Sequence, residues 1–388
     1  MRIMFLFNHD AAHQAAHIAG IMAALAGKYA HCQCVAATGS PEIETQVRAL
    51  ISADAQQYIE WADLSLSPLL GIALAAPNAL FPAKRLTRLR CNQDIFQSVD
   101  AIVSTERTCL RLKRRLVSTM GARAPQFIYV PHGSGDRNVA YHPALSQFDH
   151  MLLSGQKLVD EMTARGLSSA DRCHLIGYPK FDTLRLDQQA PLFDNDRPTF
   201  VYNPHFDPTL SSWYECGPQL LNSFAAMPDR YNLIFAPHVM LFRKKLHISL
   251  EYRTARIRPD IPSAALAAPN ILVDIDSPAL FDMTYTLAAD AYIGDMSSQI
   301  YEFLLHPRPA FFIDTHSRAF PDEHANRAFW QNGPVVQSVP ELLSLLPDLP
   351  QIAERYRATQ DRLFSYTIDY KSDQPSVDRA AAVLAELM

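Results

Sequence analysis

Short apolar runs rich in β-branched and aromatic residues recur along the whole chain, four to seven residues at a time, with helical patterns between them. That alternation constrains the fold more than any other feature, because strands that alternate with helices assemble into parallel sheets covered on both faces. In the first half the runs are Ile3 to Phe7, Gln33 to Ala36, Ala101 to Ser104, Phe127 to Val130, Met151 to Ser154 and Cys173 to Ile176. In the second half they are Thr199 to Tyr202, Leu233 to Ala236, Ile271 to Asp274, Ala291 to Ile293, Ala310 to Ile313 and Val335 to Gln337. Helical candidates between them include Ala12 to Ala26, Gln156 to Arg165, Pro278 to Ala288 and Ser297 to Leu305.

The polar, proline-containing stretch Leu184 to Arg197 reads as a linker, so 388 residues divide into two doubly wound α/β domains, 1–185 and 196–370. The alanine-rich end of the segment 371–388 is expected to form a helix that packs back on the first domain. Two such domains facing across a cleft place their ligand-binding loops at the carboxyl ends of the strands.

Composition excludes several classes. A net charge of −5 gives no general reason for a nucleic-acid partner. Six cysteines without CxxC pairs suggest neither a zinc ribbon nor a disulfide framework, and fit a cytoplasmic protein. The N-terminus MRIMFLFN reads as a first strand rather than a secretion signal. No GxGxxG follows that strand and no P-loop is present. Asp274-Ile275-Asp276 reads as a strand end and cap rather than a metal pair, so no cofactor and no metal is expected.

The longest uncharged stretch, Leu64 to Ala83, is interrupted by Pro68, Pro77, Asn78 and Pro82, which argues against a membrane span. Cations follow it: Lys84, Arg85 and Arg88 on one helix face, Arg90 beside them, then Arg111, Lys113, Arg114 and Arg115. An apolar segment next to cationic helices suits the surface of an anionic bilayer or an anionic acceptor, and a plain solvated surface is the alternative.

Candidate chemistry lies in loops that follow strands. His132 leaves a strand end between glycines, in Val130-Pro131-His132-Gly133-Ser134-Gly135-Asp136-Arg137, and is the best general base. Gly177-Tyr178-Pro179-Lys180 makes a stiff turn that aims a cation toward the cleft. Asn203 and His205 offer donors after the first strand of the second domain. Pro237-His238 puts a second histidine at a strand end, and Gly294-Asp295-Met296-Ser297-Ser298 runs into a helix whose start suits a diphosphate. Glu302 lies on that helix, placed to accept from ribose hydroxyls. Asn8-His9-Asp10, with His13 and His17 beyond, reads either as an acceptor-binding cluster or as a simple helix start.

These loops resemble a family. Gly177-Tyr178-Pro179-Lys180-Phe181-Asp182 is similar to a G-x-P-[RK]-x-D signature, and Asp295-Met296-Ser297-Ser298 with Glu302 to a D-x-S-S-x-x-x-[DE] signature, of the CDP-glycerol glycerophosphotransferases that build teichoic-acid-like polymers. His132-Gly133 and Pro237-His238 resemble that family's two histidine motifs, and the likeness covers roughly residues 125–315. It implies a two-domain GT-B fold, attachment to the inner face of a membrane, and transfer of an alditol phosphate from a CDP-activated donor to a glycan or lipid-linked acceptor, with release of CMP. It further implies that His132 deprotonates the acceptor, that His238, Ser297 and Ser298 hold the diphosphate, and that Glu302 and the loop around Lys180 contact the nucleotide.

The chain departs from the family pattern in two loops. Ser134-Gly135-Asp136-Arg137 stands where the family has a threonine or glutamine and then a lysine, which makes Arg137 an acceptor-side candidate. Asn203-Pro204-His205-Phe206-Asp207 stands where the family has A-P-T-x-R, which leaves the donor open between CDP-glycerol and its relatives. Three alternatives on the same architecture are a nucleotide-sugar glycosyltransferase, a UDP-sugar 2-epimerase and a non-catalytic nucleotide-binding subunit.

Overall fold

The computed structural model describes residues 1–9, 12–78, 81–134, 140–184, 191–249, 253–315 and 327–387. The chain separates into two compact units, Met1–Arg185 with Ser365–Met388, and Leu186–Phe364.

The first unit is built on seven strands: β1 (Arg2–Phe7), β2 (Gln33–Thr38), β3 (Ile59–Asp63), β4 (Ala101–Ser104), β5 (Gln126–Tyr129), β6 (His150–Leu153) and β7 (Cys173–Leu175). Their order is β3-β2-β1-β4-β5-β6-β7, every pair parallel. The period-2 geometry of β1 explains its unbroken apolar sequence. Ile3, Phe5 and Phe7 point into one buried layer, and Met4 and Leu6 into the other, so both faces are covered. Each such aromatic or aliphatic side chain adds about 1.5–3 kcal/mol of burial free energy.

The second unit carries β8 (Thr199–Asn203), β9 (Asn232–Phe235), a hairpin of β10 (Leu246–Ser249) and β11 (Thr254–Ile257), then β12 (Ile271–Val273), β13 (Ala291–Gly294), β14 (Ala310–Ile313) and β15 (Val335–Val336). Six of these form a parallel sheet in the order β12-β9-β8-β13-β14-β15, and β10 pairs with β11 in antiparallel fashion. In each sheet the chain order reverses beside the first strand, between β1 and β4 and between β8 and β13, which is where doubly wound sheets open a crevice for ligands.

Every expected strand is present to within about two residues at its ends. The helices are more broken than expected. Ala12–His17 is a 3-10 turn followed by the helix Ala19–Lys28, Pro278–Leu280 is separate from Thr284–Ala288, and the helix expected to reach Leu305 is only Gln299–Phe303. Proline and local capping account for one break: Ser277 caps Pro278–Leu280, and Met283 then takes a left-handed φ of 72° before the next helix.

The C-terminal helix Ser376–Leu387 packs against Ala19–Lys28 in the first unit, with Ala380, Ala381 and Leu384 buried there. The Gly177 signature helps seat it. Gly177 has a φ of +84°, and a Cβ on it meets Arg379 and Ser376 of this helix. Asp182 accepts a hydrogen bond from the backbone N–H of Val377 at 3.1 Å, in the helix's first turn. Three residues of the G-x-P-K-x-D motif therefore have structural work: Gly177 for the close approach, Pro179 as the first residue of the helix Pro179–Thr183, and Asp182 as the anchor.

Candidate active site

In the first unit the residues beyond β1, β4 and β5 come together. Asn8 and His9 follow β1, Thr105 and Glu106 follow β4, and His132 lies just past β5. The Nδ1 of His132 lies 3.2 Å from the carbonyl oxygen of Thr105. A carbonyl only accepts, so Nδ1 carries the hydrogen and Nε2 keeps its lone pair. His132 is reachable from solvent although protein surrounds most of its ring. That burial holds its pKa below the ordinary 6.5, opposed by the Thr105 hydrogen bond and the charge of Glu106. A neutral imidazole with its hydrogen on Nδ1 and its lone pair on Nε2 is equipped to accept a proton from a hydroxyl.

Several groups frame it. His17, 3% exposed, sets its ring edge-on to His132 at 6.5 Å and to Tyr178 at 5.1 Å. The Nδ2 of Asn8 donates to the Arg85 carbonyl at 3.0 Å, and the Arg85 guanidinium pairs with Glu106 at 2.5 Å. His9 is buried with neither ring nitrogen hydrogen-bonded. Burial first, then the nearby His132, Arg85 and Arg88, lower its pKa to about 3, so it is neutral throughout the physiological range. Lys180 is 4% exposed, neither a solvated cation nor an open one. Gly133 follows His132 directly, while Asp10 and Arg137 lie outside the described residues.

The second unit gathers the loops after β8, β9 and β13. His205 follows β8 and His238 follows β9, and their rings lie 5.4 Å apart, with Phe206 at 4.6 Å from one and 4.7 Å from the other. The backbone N–H of Asp207 donates to Nδ1 of His205 at 3.0 Å, and that of Met240 donates to Nδ1 of His238 at 3.2 Å. A ring nitrogen that accepts from an amide has no hydrogen of its own, so in the neutral ring both imidazoles carry theirs on Nε2. His205 is 3% exposed and His238 half-buried, and an N–H on Nε2 is the chemistry that meets an anion.

Asp295 and Asn203 are spent on holding these loops. Asp295, 1% exposed, accepts from the backbone N–H of His205 at 2.8 Å and of Ser212 at 3.0 Å through one oxygen. Burial is the largest influence on it and raises its pKa to about 7. Asn203 donates to the Ala236 carbonyl at 2.6 Å and accepts from the Tyr292 hydroxyl at 3.4 Å, tying the ends of β8, β9 and β13 together. Pro237 is buried between β9 and His238.

Ser297 and Ser298 stand at the start of a helix of five residues, too short for a developed macrodipole. The Ser297 hydroxyl accepts from the Gln299 N–H at 3.4 Å, and Ser298 at the cap makes no side-chain cap bond. Glu302 is 5% exposed, so the open ribose-facing carboxylate expected from sequence is instead a buried one. Asp274 is also local: it accepts from Ser277 and from the Tyr285 hydroxyl at 2.7 Å. Among the described residues no group of three or more His, Cys, Asp or Glu is placed to hold a metal ion.

Sequence reading missed the carbonyl of Thr105 and the amides of Asp207 and Met240, which set the three tautomers. Backbone groups leave no residue-type signal. The contact of Phe206 with both imidazoles was likewise unmarked.

No family model and no curated protein matches the chain. Solved structures do. The wall teichoic acid polymerase TagF superposes with a TM-score of 0.62 at 13% identity, over 100% of this chain and 87% of that one. A UDP-GlcNAc 2-epimerase from Neisseria meningitidis, bound to UDP-GlcNAc, gives 0.62 at 11% identity over 100% and 99% of the two chains. The lipopolysaccharide outer core galactosyltransferase WaaB gives 0.51 at 11% identity over the whole of both. One TagF structure was soaked with CDPG. With its two parallel sheets and these neighbours, the chain has the GT-B fold.

Proposed function

We propose that the protein is a transferase that moves glycerol phosphate, or a related alditol phosphate, from a CDP-activated donor to a hydroxyl of a glycan or lipid-linked acceptor, releasing CMP. The observation that carries this reading is the opposite tautomers of the histidines. His132 offers a lone pair on Nε2, and His205 and His238 offer hydrogens there.

In the reaction, Nε2 of His132 takes the proton of the acceptor hydroxyl as its oxygen attacks the phosphorus that bears the alditol. The new P–O bond forms as the bond from that phosphorus to the CMP oxygen breaks. Negative charge builds on the departing phosphate, where N–H donors fixed in advance stabilise it without reorganising. His205 and His238 supply those donors, and the family likeness adds Ser297 and Ser298 to the diphosphate site. The proton held on His132 passes to solvent after the product leaves.

The CDPG-soaked TagF structure supports a cytidine donor, and the loop signatures around Lys180 and Ser297 support the same choice. The sugar-transferring and epimerising neighbours define the rival reading. An epimerase needs a carboxylate free to handle a proton at the sugar ring, and Glu106 is instead engaged by Arg85 at 2.5 Å and by Thr108 at 2.9 Å.

Calorimetric titration with CMP, CDP-glycerol, UDP and UDP-GlcNAc tests the reading. Binding selective for the cytidine compounds and weakened by Ser298→Ala is the expected result. A preference for the uridine compounds, or binding of none, overturns it.

A further inference from the structure

His150 and His174 belong to neither group of loops described above. His150 opens β6, and His174 is the middle residue of β7, the edge strand of the first sheet. The register pairs Leu152 with His174, and side chains alternate along a strand, so His150, Leu152 and His174 share one face. That face is the layer under the helix Ser376–Leu387, where Leu152 is buried in one core with Ala380, Ala381 and Leu384. Both imidazoles are half-buried, and Nδ1 of His150 lies 3.1 Å from Nε2 of His174.

One of these nitrogens donates and the other accepts, so at most one ring carries a charge. Burial, the largest influence on each, holds both below the ordinary 6.5, which leaves the rings neutral at neutral pH. Neutral imidazole nitrogens are ligands for zinc, copper and nickel. An ion about 2 Å from each of two nitrogens that are 3.1 Å apart meets them at an angle of about 100°, between the octahedral and tetrahedral values. The surrounding charge suits a dication. The Asp171 carboxylate influences both rings, Asp149 influences His150, and Glu386 of the C-terminal helix influences His174. The two cations that reach His150 are engaged elsewhere: Lys113 pairs with Asp149 at 2.6 Å, and Arg172 donates to the carbonyls of Phe148 and Asp149.

We propose that His150 and His174 together bind one divalent transition-metal ion, with zinc the expected occupant, and that water fills its remaining positions. The ion takes the place of the hydrogen between Nδ1 of His150 and Nε2 of His174. That hydrogen moves, by exchange with water, to the far nitrogen of its own ring, so two neutral imidazoles accept the ion with no net loss of a proton. The ion ties the edge strand β7 to β6. Residues 150 and 174 meet only in the folded chain, so binding stabilises the fold by mass action. The inference stands apart from the proposed reaction, because its histidines lie on strands and those of the reaction lie beyond the carboxyl ends of β5, β8 and β9.

Calorimetric titration of the metal-free full chain with zinc chloride tests it, without nucleotide or acceptor. Zinc should bind and raise the unfolding midpoint, and magnesium chloride should do neither, because magnesium prefers oxygen ligands. His174→Gln keeps a polar side chain beside His150 but no imidazole. Its circular dichroism should match wild type while zinc affinity falls roughly tenfold or more, since losing a ligand costs at least as much as losing a ligand's hydrogen-bond partner. His150→Gln should act in the same way, and in both variants the zinc-dependent rise in midpoint should disappear. His132→Ala should bind zinc as wild type does. No zinc binding, wild-type affinity in both glutamine variants, or binding that His132→Ala abolishes and the glutamine variants keep would overturn the proposal.

Discussion

The two units hold one residue type in opposite tautomers. In the first, a backbone carbonyl fixes the hydrogen of His132 on Nδ1 and leaves Nε2 basic; in the second, backbone amides occupy Nδ1 of His205 and His238 and leave Nε2 as a donor. The difference lies in the polarity of the main-chain group each ring meets, and on the proposed reading it makes one ring a proton acceptor and the other two anion binders. A second contrast concerns buried charge. The first unit buries a histidine that is held neutral, His9, and the second buries a carboxylate whose pKa is about 7, Asp295.

The largest expected effect breaks the base. His132→Ala should lower turnover by about 10²–10⁴-fold, measured as CMP release in the presence of acceptor. The pH profile sharpens the same point. His132 works as the neutral ring, so the rate falls as pH drops through its pKa, and that limb should lie below 6.5 because burial lowers the value. A limb above 6.5 would count against His132.

Next come the donors. His238→Ala removes a hydrogen bond to a charged group, a loss of about 1.5–3 kcal/mol, or roughly 10–150-fold in donor affinity by titration. His205→Ala should act in the same direction, and if it leaves donor affinity unchanged the pairing of the two rings has no functional meaning.

Smaller effects fall on stability. Gly177→Ala forces a side chain into a left-handed backbone and against Arg379 and Ser376, which should cost about 1–3 kcal/mol in chemical unfolding. Donor affinity of the same variant separates this structural role from the nucleotide contact that the resemblance implies for the loop around Lys180.

Stability also has two pH windows, which have opposite signs. His9 has a folded pKa of about 3 against an ordinary 6.5, so its contribution is present above 6.5 and is lost as pH falls toward 3. Asp295 has a folded pKa of about 7 against 3.8, so its contribution is full below 3.8 and is lost as pH rises toward 7. Asp295→Asn should flatten the second slope and leave the first, as read from the unfolding midpoint across this pH range.

What was legible in the sequence follows from where the information resides. Strands such as Ile3–Phe7 and Ala291–Ile293 are buried on both faces and so read as continuous apolar runs. β3 escaped notice because Ile59-Glu60-Trp61-Ala62-Asp63 is an edge strand with one buried residue. The β10–β11 hairpin escaped because its apolar residues Leu246, Ile248 and Ile257 are exposed and follow no core pattern. The histidine loops were legible because imidazoles at strand ends stand out. His132 as base was expected from its loop and His238 as phosphate holder from the family resemblance; the tautomers were not legible, since they depend on the carbonyl of Thr105 and the amides of Asp207 and Met240. Asp295 and Asn203 show the converse: polar residues that look like ligand contacts are used to hold neighbouring loops.

The most direct test of the division of labour measures two quantities on two variants: CDP-glycerol affinity by titration, and CMP release with acceptor present. The account predicts that His132→Ala keeps donor affinity within about twofold while turnover collapses, and that His238→Ala loses donor affinity. Donor binding destroyed by His132→Ala, or turnover left intact by it, would contradict the assignment of the base to the first unit.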